Sequence, residues 1–357
     1  MLRIDRYIMQ RFLAGIIPAL LLLLALFSFM ALAEELEDVG KGSFTMPDAL
    51  MVVFLTTPKR IVELLPVTAL LGGLLGLGAM ANHRELTAIR TSGVSKRRIA
   101  QSVAILTVFL GLGMTILQFS VVPGFEREAA ALRGQALQNL GTRSDNSQAF
   151  WTRNGTHFIR VNNVQSDRTL ADIEIYSTDT QGRFTRLTQA SNAYYAGQDN
   201  WLLTGILQSS LQGDRVLEAT RDSMRWNGFL SAEQASVLIL PLEALAPDDL
   251  VKTIASLKRN QLDTHQYEVV LWQQISLLPS LLAMALLSLP FLLGSVRAVS
   301  ASHRVMIGGL VGISFYLMQQ LSGHLAGILG LNPSIVILTP PFILLAIAIT
   351  AIRHRNL

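Results

Sequence analysis

Cysteine is absent from all 357 residues, which excludes a disulfide framework and any thiolate-bound metal. Charge is scarce as well. Asp, Glu, Lys and Arg make up 15% of the chain against 50% hydrophobic residues, and a mean hydropathy of +0.41 is too high for a protein dissolved in water. No G-x-x-x-x-G-K-[ST] run occurs. Gly40-Lys41-Gly42-Ser43 has the residue types without the spacing, so the chain has no nucleotide-phosphate cradle of its own. HExxH and G-x-S-x-G are missing too, which leaves hydrolysis without a recognisable site.

What is present is apolar sequence in long runs: Phe12 to Ala33, Ile61 to Ala81, Ile99 to Val122, Val269 to Leu293, Val305 to Leu329 and Ile335 to Ile352. Each approaches the ~20 residues that a helix rising ~1.5 Å per residue needs to cross ~30 Å of hydrocarbon. Three runs precede and three follow a polar block, Glu126 to Tyr267. The expected fold class is a membrane α-helical protein of six transmembrane helices, arranged 3+3, with an inserted antiparallel β domain. The expected division is residues 1–125, 126–267 and 268–357.

The basic residues sort to one side of that scheme. Arg3, Arg6 and Arg11 precede the first span; Arg84, Arg90, Lys96, Arg97 and Arg98 lie between the second and third; Arg297 and Arg304 between the fourth and fifth; Arg353 and Arg355 after the sixth. Loops rich in Lys and Arg stay in the cytoplasm, so both termini are expected there and the polar block outside. Ala31-Leu32-Ala33 resembles a signal-peptide cleavage site, but its apolar run exceeds the ~7–15 residues of a signal core, and six spans explain the charge pattern where five do not.

From Trp151 the period changes to two. His157 to Val161, Ala171 to Tyr176 and Arg183 to Leu187 alternate apolar and polar residues, with turn residues at Ser166-Asp167, Gln181-Gly182, Gly197 to Asn200 and Gln212-Gly213-Asp214. That spacing suggests an antiparallel sandwich or jelly roll. Within the block His157 is the only histidine before His265, and Asp172 and Glu174 alternate as solvated charges do, so a binding or scaffolding role is expected. An unpaired sheet edge there is a template for a partner's strand.

Residues 82–98, ANHRELTAIRTSGVSKRR without its first alanine, stand between two spans. Leu86 and Ile89 are three apart, Ser92-Gly93 breaks the helix, and Ser95 is placed to cap the next one. A solvated loop that enforces topology needs no such order. A short helix tied to two spans passes force to both.

Several of these residues carry a family resemblance. Asp5-Arg6-Tyr7, Leu70-Leu71-Gly72-Gly73-Leu74-Leu75-Gly76-Leu77-Gly78, Arg84-Glu85-Leu86 and Thr91-Ser92-Gly93 resemble the permeases of the lipopolysaccharide export system, as does the order of three spans, β domain, three spans. The resemblance covers nearly the whole chain and leans to the G-type subunit. It implies a β jelly roll in the periplasm and a coupling helix at about 82–98 that docks in a groove of a cytoplasmic ATPase dimer. ATP and Mg would bind that partner, and this chain would bind no cofactor or metal. Arg84, Glu85, Leu86, Ile89, Arg90, Ser92 and Gly93 would form the coupling site, with Glu85 meeting a basic residue and Leu86 and Ile89 filling the groove. Further implied partners are a homologous F-type permease subunit, a single-span subunit with a periplasmic domain, a jelly-roll bridge and lipopolysaccharide, with no nucleic acid.

Such a substrate makes demands that the residues can be held against. Removing one acyl chain from lipid costs ~10 kcal/mol at ~0.8 kcal/mol per CH₂, so the lipid must pass through an apolar cavity. Phe27, Met30, Leu64, Leu65, Leu310, Phe315 and Met318, on spans one, two and five, are the expected lining, and spans one and five the expected lateral gates. Gly72, Gly73, Gly76 and Gly78 permit close helix approach. Arg133 and Lys41 are the expected contacts for phosphorylated sugars. Glu34, Glu35, Glu37 and Asp38 depart from the family's lysines at this edge and repel phosphate unless a divalent cation or the sister subunit compensates. A secondary transporter is disfavoured: Glu63 and His324 lie near the outer ends of their spans. Two other readings stay open, a membrane-anchored envelope enzyme acting through its β domain and an ATPase-coupled mechanotransmission protein that moves no substrate.

Overall fold

The computed structural model describes residues 3–137, 150–166, 169–179, 181–197, 200–212, 215–227, 242, 245–259, 263–293 and 301–354. Asp167, Gly213 and Asp214, expected in turns, and Arg297 and Arg355, expected in basic loops, lie outside these. The helices are α1 (Arg3–Leu36), α2 (Met46–Leu55), α3 (Thr57–Asn82), α4 (Glu85–Thr91), α5 (Lys96–Ser120), α6 (Val122–Leu137), α7 (Pro247–Arg259), α8 (His265–Leu293), α9 (Ala301–Leu329) and α10 (Pro333–His354). Six of them, α1, α3, α5, α8, α9 and α10, are long and apolar enough to cross a membrane; five contain one expected run whole, and α5 ends at Ser120, just short of the expected Val122.

Two compact units result, residues 1–139 with 268–357, and residues 140–267. The helical unit thus reaches beyond the expected boundary at 125. Ala129, Leu132 and Ala136 of α6 pack with Phe44, Ala49 and Val52, so the polar residues of α6 mark the outer face of an amphipathic helix and not the start of the β domain. Short α2 begins where Asp48 accepts hydrogen bonds from the Thr45 amide at 2.8 Å and the Thr45 hydroxyl at 2.6 Å. That hydroxyl, then that amide, hold the Asp48 carboxyl below its ordinary range.

The core of the helical unit surrounds α3. Leu65, Leu70, Leu74 and Leu77 meet Ile8, Phe12 and Ile16 of α1, Ile99 and Val103 of α5, Leu281, Met284 and Leu289 of α8, and Phe315 of α9. Lipid tails are as apolar as leucine, so small residues that let backbones touch set the geometry. A Cβ at Gly72 would lie 2.6 Å from Ile16 Cα, and one at Gly15 would strike the backbone of Gly72 and Gly76. Gly78 differs from its neighbours, since a Cβ there meets only Leu292, at 3.5 Å.

In the other unit β1 (Phe150–Asn154), β2 (His157–Ser166), β3 (Thr169–Thr178), β4 (Phe184–Gly197), β5 (Asn200–Gln212) and β6 (Arg215–Asn227) form one antiparallel sheet in sequential order. The antiparallel β domain is as expected, and every described strand pairs with its neighbour in sequence. One row of positions bends it. Asp172 (φ 55°) and Gly205 (φ 64°) are left-handed, and Ser191 lies between them on β4. Across this row the buried parity flips: Leu170 gives way to Ile173 and Ile175, Ala190 to Ala193, Leu203 to Ile206. The curvature brings His157 of β2 to 5.1 Å from Trp226 of β6, although β3, β4 and β5 separate them in the sheet. Trp201, Ile159 and Leu203 fill the inner face. Helix α7 lies within the block expected to be β. Pro247, Asp248 and Asp249 open it and Lys258 and Arg259 close it, the arrangement the helix dipole favours.

Candidate functional site

The polar side chains gather at the two ends of the helical unit. At one end α4, only seven residues long, is held between spans. Arg84 precedes it in a left-handed conformation (φ 59°), turning the chain sharply from Asn82, the last residue of α3, to Glu85, the first of α4. The Tyr7 hydroxyl of α1 donates to Glu85 Oε2 at 2.8 Å and accepts from Arg11 Nε at 3.0 Å and Nη2 at 2.8 Å. Arg304 of α9, a buried cation, donates from Nη2 to Asn82 Oδ1 at 2.6 Å. Asp5 accepts from Arg98 Nη2 at 3.2 Å and from Ser102 Oγ at 3.0 Å, and Ser95 Oγ caps α5 by accepting from the Arg98 amide, as its position in the sequence suggests.

These contacts correct one expectation. Leu86 is 3% exposed and belongs with Ile89 to the core formed by α1, α3 and α5, so it does not face an outside groove. The two residues are three apart and share a helix face, and that face turns toward the spans because α4 leaves and re-enters the bundle. The outward face carries Arg84, Thr87, Ala88, Arg90, Ser92 and Gly93. Thr87 and Ala88 are small and carry no chemical signature in the sequence. The partners of Tyr7, Asn82 and Arg304 lie far off in the chain, so their neighbours in sequence do not mark them as site residues.

At the opposite end the acids of 34–38 meet the two expected head-group cations. Arg133 Nη1 donates to Glu35 Oε1 at 3.2 Å, its Nη2 contacts Asp38 Oδ2, and Lys41 Nζ donates to Asp38 Oδ1 at 2.8 Å. Lys41 first, then Arg133, hold the Asp38 carboxyl below its ordinary range. Two of the four acids that would repel a phosphate, Glu35 and Asp38, are paired with the cations that would attract it.

The chain matches the family model for lipopolysaccharide export system permease LptF/LptG over residues 6–354. It belongs to that family. Among its relatives are proteins named lipopolysaccharide export system permease protein LptG. The one from Haemophilus influenzae is 30% identical over 329 residues, 92% of each chain, and the one from Escherichia coli K12 is 29% identical over 339 residues, 94% of each chain.

Within this LptF/LptG fold the apolar candidates separate into two groups. Leu64, Leu65 and Phe315 are buried in helix packing, the last two in the common core, so they line no open surface. Met30, Leu310 and Met318 are exposed, with Leu310 at 60%, and Phe27 of α1 stacks edge-to-face on Tyr316 of α9 at 5.6 Å. His324 is exposed on α9, and Glu63 lies 4.0 Å from Lys59 one helical turn back. Ile335, Leu338, Phe342 and Ile343 form an open apolar surface along α10.

Proposed function

We propose that this permease is the transmembrane subunit that takes lipopolysaccharide from the outer leaflet of the inner membrane and passes it toward a periplasmic bridge. A separate cytoplasmic ATPase dimer, which binds the ATP and Mg, supplies the work; this chain is non-catalytic. A homologous F-type subunit completes the membrane passage, and a single-span subunit and jelly-roll bridge receive the lipid. Residues 82–98 and both termini face the cytoplasm, and the β domain the periplasm.

The observation that carries this reading is the placement of α4. Its outer face is basic and studded with small residues, its inner face is buried, and the corner that leads into it is fastened to α1 at Glu85 and to α9 at Asn82. A solvated loop needs neither the burial nor the fastening. Charge supports the orientation: Arg3, Arg6, Arg11, Arg84, Arg90, Arg97, Arg98 and Arg304 collect at the α4 end, while Glu34, Glu35, Glu37 and Asp38 lie at the far end of α1. Candidate head-group contacts are Arg133 and Lys41, released when a phosphate competes for them, and candidate chain contacts are Phe27, Met30, Leu310 and Met318.

The test is a block on that outer face. Ala88→Arg and Arg90→Glu leave every intrachain contact described above in place. Loss of ATPase co-purification with an intact membrane fold supports the proposal; undiminished recovery and undiminished lipid-stimulated hydrolysis reject it.

A further inference from the structure

We infer that Tyr7 and Arg304 are positioning residues, two struts through which the four-residue segment from Asn82 to Glu85 holds α1 and α9 so that displacement of α4 moves both spans together. The inference rests on the proposed coupling role of α4.

The geometry at each strut is that of a committed contact. The Tyr7 hydroxyl spends its single proton on Glu85 and receives Arg11 on its lone pairs, and the Arg11 guanidinium also sits 5.0 Å over the Tyr7 ring. Glu85 is therefore fixed by a neutral donor that is itself oriented by a cation. On the other side Arg304 is 7% exposed, and a guanidinium so buried is expensive unless its donors are used. Its 2.6 Å bond to Asn82 places the charge at the C-terminal end of α3, where carbonyls without helical partners favour a cation.

Between the two anchors there is no slack. Asn82 ends α3, His83 donates back to the Ala79 carbonyl, Arg84 donates to that of Ala81, and Ala88 donates to that of Arg84, so the turn is a closed hydrogen-bonded corner. Its left-handed Arg84 is a conformation that a non-glycine residue keeps only when the surroundings over-determine it. A shift of α4 is thus delivered to α1 through Glu85 and to α9 through Asn82.

Helix α1 is built to use such a shift. Its first half is locked: Phe12 and Ile16 are in the core, and a Cβ at Gly76 would strike the Arg11 carbonyl. Its second half, beyond Pro18, exposes Leu21, Leu22, Leu26 and Phe29. Pro18 has no amide hydrogen to donate to the Ala14 carbonyl, which weakens the helix where the half packed in the core meets the more exposed half. Movement put in at Tyr7 is carried past this point to the outer end, where Glu35 grips Arg133.

The test uses the complete transporter in proteoliposomes, with ATP hydrolysis and released lipopolysaccharide measured together. Tyr7→Phe keeps the ring and removes only the hydroxyl. Asn82→Leu removes the Arg304 acceptor, and Asn82→Asp restores one. The expected result is near-normal ATPase recovery and hydrolysis, with lipid moved per ATP reduced several-fold in Tyr7→Phe and Asn82→Leu and recovered in Asn82→Asp. Lipid per ATP equal to the parent's in Tyr7→Phe and Asn82→Leu, or hydrolysis and transfer falling together at a constant ratio, overturns the inference. Failure of the coupling role itself is distinguishable, because Ala88→Arg and Arg90→Glu would then leave ATPase recovery and hydrolysis at the parent's level.

Discussion

Gly15 of α1 and Gly72 of α3 meet backbone to backbone, with no room for a Cβ on either. Gly72→Leu must force the helices apart, and overpacking of this kind costs ~1–3 kcal/mol or more. Gly78→Ala meets only the tip of Leu292 and is expected to be tolerated. Thermal aggregation of the detergent-solubilised protein separates the two, with Gly72→Leu melting well below the parent and Gly78→Ala beside it.

Leu86→Ala should act on folding. A buried leucine truncated to alanine loses ~2–5 kcal/mol, and Leu86 is enclosed by this chain's own core. The expected outcome is a lower melting temperature and lower yield of the permease purified alone, with no ATPase present. A Leu86→Ala protein that is as stable as the parent yet fails to recruit ATPase would return this side chain to the docking face.

Asp38 governs two cations. Its carboxyl is depressed by Lys41 and Arg133, so the contact between the end of α1 and α6 is fully present above the ordinary carboxylate value of 3.8 and is lost as pH falls below it. The exchange protection factor over residues 37–45, taken relative to the intrinsic rate at each pH, should therefore be flat from neutral to mildly acidic pH and fall only in strong acid. Asp38→Asn should raise photocrosslinking of phosphorylated lipid near Arg133, because the pairing charge is gone while the shape remains.

Gly205 is the hinge of the curved sheet. It combines a left-handed φ of 64° with Ser191 Oγ 2.7 Å from where a Cβ would stand. A valine here meets both penalties, and strain in that backbone region costs ~1–3 kcal/mol. Gly205→Val should accelerate amide exchange in β4 and β5 of the full-length protein while leaving α3 and α8 protected, since the two units are separately compact.

Periodicity made much of this legible. Runs of some twenty apolar residues can only be spanning helices, because a backbone in hydrocarbon must satisfy its own hydrogen bonds. Ser95 announced its cap and alternation announced the strands. Helices α2, α6 and α7 were signalled but quieter: Thr45-Met46-Pro47-Asp48 is a start signal, Pro247-Asp248-Asp249 another, and α6 hid behind Arg127, Glu128 and Arg133 on its solvent face. The bend at Asp172 was invisible, since one strand read alone does not disclose that its neighbours break parity at the same row.

The amino-acid order by itself determined the number of spans, the basic loops, the β insertion and the family, because each depends on residues near one another in the chain. Only tertiary structure decided which way Leu86 faces, that Arg133 and Lys41 are held by Glu35 and Asp38, and that Tyr7 and Arg304 reach the two ends of one corner. Those contacts join residues as far apart as 222 positions, and their geometry follows from how closely α1 and α9 pack on α3. A hydrogen bond exists only once both partners are in place, so packing has to come before the polar contacts that make the site.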